Sequence, residues 1–121
     1  MVNKNIYRTE DEVRDSAKIL LGFDKVEANV KQGTGQITTF NQLGFKGIID
    51  KPDGWYFPDD RTLPAIILET KSEKEDISSL KWENELKKNI GIVNKKYKNV
   101  CGILYNGVDV KAVSYTHLRA H

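Results

Sequence analysis

Apolar residues recur at helical spacing in two parts of the chain. Residues 9–21 predict a helix in which Thr9 and Glu12 form a capping box, apolar residues follow at steps of three and four, and Gly22 ends the helix. A second stripe at helical spacing predicts another helix in the later half of the chain. Its members are Trp82, Leu86, Ile90, Val93 and Tyr97.

Other parts of the chain have the pattern of strands. Residues 53–71 predict a β-hairpin, because the aromatic-rich segment DGWYF and the apolar segment AIILETK flank the turn-forming segment PDDRTLP. After the second helix, the segment VCGILY predicts a buried strand. A tight turn at NG then joins it to a returning strand, VDVKAV.

The segment 24–49 is less regular. KVEANVK predicts a short strand with Val26, Ala28 and Val30 on one face, GTGQ at 33–36 predicts a turn, and FKGII predicts a further strand. The glycine spacing in GTGQ is too short for a dinucleotide-binding loop. The resulting order is helix, two or three strands including a hairpin, helix, strand, strand. It predicts an α/β fold in which a single mixed β-sheet is flanked by helices.

Length and composition narrow the class of protein. The 121 residues suffice for one domain, and 39% hydrophobic with 30% charged residues is typical of a soluble protein. No apolar stretch approaches the roughly 20 residues of a membrane helix, and the N-terminus lacks the apolar core of a signal peptide. Cys101 is the single cysteine, which we expect to be a small buried hydrophobe. We therefore expect a cytoplasmic protein without disulfides.

The charges are unevenly distributed, although the net charge is only +2. Lysines are concentrated in 81–98 and acidic residues in 50–76. The lysines fit either a solvated helix face or a surface that contacts a phosphate backbone, and the sequence leaves both readings open.

The last eight residues, SYTHLRAH at 114–121, do not continue the strand pattern. They resemble a translated sequencing-adapter segment. We therefore expect the domain to span 1–113, as the N-terminal piece of a longer protein, and 114–121 to be a non-native tail. Both histidines lie in that tail, which leaves no zinc-binding set.

The strongest candidate for chemistry is the charged end of the predicted hairpin. Alternate residues of a strand share a face, so Glu69 and Lys71 point one way and Thr70 the other. Folding the hairpin places Asp53 opposite residues 68 and 69, which brings two carboxylates and one ammonium together. Such a group suits Mg²⁺, which takes one or two protein carboxylates and completes its shell with water and substrate phosphate.

These residues resemble a known motif. Pro52-Asp53, followed after a hairpin by Glu69-Thr70-Lys71, looks like the signature of the PD-(D/E)XK nuclease superfamily. The chain is most similar to N-terminal nuclease domains of type I restriction subunits and of enzymes in which a nuclease precedes an adenine methyltransferase. The resemblance covers roughly residues 9 to 113 and implies an αβββαβ restriction-endonuclease-like core. The matching segments are TEDEVR, KPDGWYF, LPAIILETK and GILYNG.

The resemblance also implies roles for particular residues. Asp53 and Glu69 would be metal ligands, Lys71 the catalytic lysine, and Glu10 an accessory acid from the first helix. Asp50 competes with Asp53 for the metal. Each residue also has a plainer reading: a turn aspartate, a surface pair at the end of a strand, or an acid favoured by the dipole of a first helical turn.

The function implied is a magnesium-dependent DNA endonuclease that hydrolyses phosphodiester bonds. It would act with downstream methyltransferase or helicase domains or subunits of a restriction-modification enzyme. Some members of the superfamily carry a glutamine and a tyrosine four apart on the following helix, where this chain has Glu85 and Asn89, so no role is assigned to them. One alternative is a non-catalytic module on the same fold that binds nucleic acid or a partner subunit. Another is a regulatory or structural α/β domain that binds no nucleic acid.

Overall fold

The computed structural model describes residues 6–116, which form two helices and five strands. Both histidines lie outside the described residues, as does most of the segment predicted to be a tail. In chain order the elements are α1 (Glu10–Leu21), β1 (Val30–Thr34), β2 (Gly54–Pro58), β3 (Ala65–Thr70), α2 (Leu80–Val93), β4 (Asn99–Tyr105) and β5 (Val110–Thr116).

The five strands form one sheet in the order β1-β2-β3-β4-β5. β3 and β4 are parallel and are connected through α2, whereas the other neighbouring pairs are antiparallel. This arrangement confirms the predicted α/β class and the single mixed sheet with helices. No helix in the described part of the chain is both long and apolar enough to cross a membrane.

The ends of α1 follow from its local sequence. The Glu12 backbone N–H donates to Thr9 Oγ1 at 3.2 Å, and the Thr9 N–H donates to Glu12 Oε1 at 3.1 Å. The helix ends at Gly22, which has a left-handed φ of +71° that favours glycine. The predicted capping box and helix end are therefore both confirmed.

The sheet separates two apolar clusters. The larger lies between the sheet, α2 and the loop at 38–50, and the smaller lies under α1 on the other face. The predicted apolar stripe of α2 packs into the larger cluster, although the helix ends at Val93 and Tyr97 is buried beyond it. The large cluster includes Phe40, Phe45, Trp55, Phe57, Ile67, Leu86, Ile90, Val93, Tyr97 and Leu104.

Two strand predictions between α1 and β2 were wrong. Val26 is 100% exposed, and the backbone turns at Asn29, whose φ is +64°, so the strand begins only at Val30. Part of the predicted GTGQ turn lies inside β1. The segment FKGII is not a strand, because Phe40 and Phe45 anchor a turn-rich loop by packing edge-on at 5.8 Å between ring centroids.

The turn after β4 comprises residues 106–109, with the Asn106 N–H donating to the Asp109 carbonyl. β5 then pairs along β4 as far as Thr116, which lies opposite Asn99. The first three residues of the predicted tail therefore continue a strand. The prediction that 114–121 is non-native stays a prediction.

Candidate active site

The β2–β3 hairpin has the register that the sequence predicts. Gly54 pairs with Leu68, so Asp53 and Glu69 are opposite at the next position along the two strands. Glycine is needed at 54, because a Cβ there would lie 2.8 Å from Leu68 Cδ2. The close approach brings together two acidic residues that are both almost fully buried, Asp53 at 4% exposed and Glu69 at 6%.

Asp53 is held by three elements. Its Oδ2 accepts a 2.8 Å hydrogen bond from the Thr70 backbone N–H at the end of β3. Its Oδ1 accepts from Gln36 Nε2 at 3.2 Å and lies 3.4 Å from Arg14 Nε of α1. A turn aspartate would face solvent, whereas these contacts hold the Asp53 carboxylate in a fixed, buried position.

Glu69 is a carboxyl group in an environment that disfavours its charge. Burial raises its pKa to about 9, and the neighbouring Asp53 carboxylate, which is also its hydrogen-bond partner, contributes to the increase. Asn89 Nδ2 of α2 donates a hydrogen bond to Glu69 Oε1. Without a cation nearby, this environment therefore favours the protonated form of the Glu69 carboxyl.

Lys71 follows β3 directly, two residues after Glu69, and among the described residues its ammonium forms an ion pair with neither Asp53 nor Glu69. Its backbone N–H donates to the Tyr105 carbonyl at 3.0 Å, which continues the pairing with β4. Its ammonium lies 4.0 Å from the centroid of a Trp82 ring and 3.9 Å from Glu85 Oε2, both on α2. The charge of Lys71 opposes the rise in the pKa of Glu69, as expected for an amine close to that carboxyl.

Glu10 belongs to the same polar group. Its Oε2 accepts from Gln36 Nε2 at 3.1 Å, so a single amide nitrogen bridges Glu10 and Asp53. Arg14 Nη2 lies 3.4 Å from the same Glu10 oxygen. Burial, followed by the charge of Asp53, raises the pKa of Glu10. The first helix therefore contributes an acid to the site, where the resemblance predicts one.

Asp50 has a different environment from Asp53. Its side chain is 49% exposed, and its Oδ2 lies 3.0 Å from Lys88 Nζ on α2. Within residues 6–116 no hydrogen bond or ion pair links Asp50 to Asp53, Glu69 or Lys71. Of the two candidate aspartates, the geometry groups Asp53 with Glu69.

Two buried polar side-chain atoms among the described residues have no hydrogen-bond partner, and both belong to residues that contact Asp53. The first is Arg14 Nε, which lies 3.4 Å from Asp53 Oδ1. The second is the side-chain oxygen Oγ1 of Thr70, a residue whose backbone N–H donates to the same carboxylate. Buried polar atoms are normally satisfied, so exceptions tend to mark functional sites. Both lie around the predicted site rather than elsewhere in the core.

The donor set at this site fits a hard divalent cation. In the described part of the chain no group of three or more histidine, cysteine or acidic side chains is arranged to hold a metal. Asp53 and Glu69 are nevertheless two buried carboxyl groups at opposed positions of the hairpin, and Mg²⁺ takes only one or two protein carboxylates. A cation would favour the ionised form of Glu69, which burial alone disfavours.

The sequence did not identify several residues that shape this site. Arg14, Gln36, Asn89 and Trp82 all contact the predicted acids or lysine. A signal existed for Arg14, because it lies four positions after Glu10 on the same helix face. Gln36 and Asn89 come from elements distant in sequence, and only the folded chain shows their contacts.

Comparison of the chain with protein-family models, with curated proteins and with solved structures finds no match in any of the three.

Proposed function

We propose that this domain is a magnesium-dependent endonuclease that hydrolyses DNA phosphodiester bonds. One observation carries the proposal: Asp53 and Glu69 are both buried and lie opposite each other at the open end of a hairpin, and Lys71 follows two residues after Glu69. Two buried acids in contact are costly for a fold unless something neutralises them. A bound cation that participates in catalysis would neutralise the two acids and would explain why they are buried together.

The three side chains have separate roles in this proposal. Asp53 and Glu69 would hold the metal, and Glu69 would bind it as the carboxylate, with its proton passing to solvent. When bound, Mg²⁺ would lower the pKa of a water molecule and neutralise charge on the scissile phosphate. The Lys71 ammonium orients the attacking water or stabilises the negative charge that develops on the phosphate.

The finer assignments belong to the same proposal. The order of the elements is compatible with an αβββαβ restriction-endonuclease-like core, and Glu10 would be an accessory acid. Lys87 and Lys88 are exposed on α2, the helix from which Asn89 donates to Glu69. In this proposal the two lysines would contact DNA phosphates on the helix that borders the site. Downstream methyltransferase or helicase domains or subunits would be the partners.

The test is cleavage of supercoiled plasmid DNA by the purified chain, with Mg²⁺ and with EDTA. We expect cleavage only with Mg²⁺, and a loss of at least about a hundredfold in Asp53→Asn, Glu69→Gln and Lys71→Ala. Asp50→Asn is the matched control, because it removes a nearby carboxylate that does not contact the pair. Circular dichroism of each variant verifies that the fold is retained.

Two results would contradict the proposal. Cleavage by Glu69→Gln at the wild-type rate would remove Glu69 from the chemistry. DNA binding without cleavage, unchanged by Mg²⁺ and by Glu69→Gln, would instead favour the non-catalytic binding module. A steep loss of that binding with salt would identify phosphate contacts.

A further inference from the structure

One face of α2 is directed at the charged end of β3. Trp82, Glu85 and Asn89 follow one another at steps of three and four, which places them on the same side of the helix. Asn89 donates to Glu69, whereas Trp82 and Glu85 both contact Lys71. Among the described residues, the contacts of the Lys71 ammonium with named partners are therefore all made by α2.

Lysine is difficult to position. Its ammonium is at the end of a flexible four-carbon chain, and fixing that chain costs conformational entropy. Lys71 is nevertheless only 13% exposed in its side chain, and its ammonium is 4.0 Å from the centroid of a Trp82 ring. A cation over the face of an aromatic ring is attracted by the ring quadrupole, and more strongly where water is excluded.

We propose that Trp82 is a positioning residue that holds the Lys71 ammonium against α2, at the end of β3 where Asp53 and Glu69 are buried. This inference rests on the proposed function, in which Lys71 acts on the reacting phosphate. Trp82 does not contact the substrate in this scheme. It acts through Lys71, by restricting where the ammonium lies.

Glu85 is the competing partner of Lys71, and the geometry makes it the weaker one. Its Oε2 is 3.9 Å from the ammonium, near the outer limit of an ion pair, and its side chain is 44% exposed. Solvent and salt reduce the strength of exposed ion pairs. The indole is less free to move away than the Glu85 carboxylate, because Trp82 has two rotatable side-chain bonds and Glu85 has three.

Lys81 provides an internal control. Its ammonium lies 4.5 Å from the centroid of a Trp82 ring, but Lys81 is exposed and lies in the first turn of α2. The two lysines therefore contact the same indole from different elements, and only Lys71 follows the strand that carries Glu69. Removing Lys81 should leave the contact between Trp82 and Lys71 in place.

The first measurement is NMR of the metal-free chain, which does not depend on activity. Protons above an aromatic ring resonate upfield, so the Lys71 ε-CH₂ signal should be shifted upfield in the wild type. Trp82→Leu removes the ring and should return the signal to its random-coil position. Trp82→Phe keeps a ring face and should retain part of the shift, and Lys81→Gln should retain the full shift.

The second measurement is steady-state DNA cleavage. Trp82→Leu should lower kcat and kcat/KM together by about tenfold, because the ammonium would act mainly in the transition state. KM and the Mg²⁺ concentration for half-maximal rate should remain close to wild type. Trp82→Phe should recover most of the lost rate, which a merely structural role for Trp82 would not require.

The outcomes separate the two proposals. A Lys71 signal at its random-coil position in the wild type would overturn the positioning role, whatever the enzymatic result. Trp82→Leu with wild-type kcat and a folded spectrum would also overturn it. An upfield-shifted Lys71 signal in a chain that cleaves no DNA would overturn the proposed endonuclease, and with it the catalytic purpose of the positioning, while leaving the contact established.

Discussion

The two ends of the β2–β3 hairpin bury different kinds of side chain. On the turn side of the Gly54–Leu68 pair, Ile67 and Phe57 are buried in the large apolar cluster, and Phe57 packs against Tyr97 with 5.8 Å between ring centroids. At the open end, one residue beyond the Gly54–Leu68 pair, Asp53 faces Glu69 with comparable burial. The same two strands therefore bury apolar groups at one end and acids at the other.

This difference separates what stabilises the fold from what the fold carries. Apolar burial contributes about 25 cal/mol per Å² of surface removed from water, so the turn end contributes favourably. A buried carboxyl that must ionise has the opposite effect, and the pKa of Glu69 at about 9 reflects it. We infer that the apolar end stabilises the fold, whereas the charged end, without a cation, destabilises it.

The largest expected effect is at the apolar end. Ile67 is 0% exposed, so Ile67→Ala should leave a cavity and lower the free energy of unfolding by about 3 kcal/mol. Urea denaturation followed by circular dichroism measures the change. Ile66→Ala, on the opposite face and only partly buried, is the matched control and should cost clearly less. Equal costs would contradict the assignment of the main core to the α2 face.

At the charged end, the corresponding substitution should stabilise the protein. Glu69→Gln replaces the carboxyl with an amide that can still accept from Asn89 and donate to Asp53. At pH 8 without metal, we expect it to raise the free energy of unfolding by about 2 kcal/mol. On folding at this pH, the wild type must either bury a charged Glu69 or take up a proton that the unfolded chain does not hold, and both lower its stability. The same urea titration measures it, and a loss of stability at pH 8 would contradict this view of the site.

The sign of the pH dependence follows from the direction of the pKa shift. The folded state holds the Glu69 proton more tightly than the unfolded state, whose pKa is near the ordinary 4.5. The stabilising contribution is therefore complete below pH 4.5 and is lost as the pH rises towards about 9. Wild type should lose up to about 1 kcal/mol per pH unit in this window, and Glu69→Gln should lose less.

Magnesium should offset part of the stability that is lost when Glu69 ionises, and its effect on the free energy of unfolding should be smaller than that of Glu69→Gln. A ligand that binds only the folded state stabilises it, and about 1 kcal/mol corresponds to a free concentration near five times Kd. Because binding displaces the Glu69 proton, the increase in melting temperature with Mg²⁺ should be larger at pH 8 than at pH 6. Differential scanning fluorimetry compares the two, with NaCl at matched ionic strength as the control. A shift independent of pH, or one that Glu69→Gln retains, would place the cation elsewhere.

The hairpin and its charged end could be predicted from the sequence because their signals are local. Strand alternation places Glu69 and Lys71 on one face, and the turn at 59–62 determines which residues meet across the two strands. The capping box of α1 is local in the same sense. In each case the interacting residues are close enough in sequence for spacing alone to predict the contact.

The remainder depends on contacts between distant segments. Val26 alternates with polar neighbours as a strand residue would, yet it lies in a loop because the backbone turns at Asn29. Gln36 reaches Asp53 only because β1 pairs with β2, and Asn89 reaches Glu69 only because α2 crosses the sheet. No periodicity in a single sequence encodes these contacts.

The smallest expected effect tests which aspartate belongs to the charged end. Asp50 forms a half-exposed ion pair with Lys88, and such pairs contribute little, so Asp50→Asn should change the free energy of unfolding by less than about 0.5 kcal/mol. Asp53→Asn removes a charge that faces both Arg14 and Glu69, and it should lower the pKa of Glu69 because the neighbouring negative charge is lost. Asp53→Asn should therefore shift the pH dependence of stability, and Asp50→Asn should leave it in place. If Asp50→Asn shifted the pH dependence instead, the site would have to be rebuilt around Asp50.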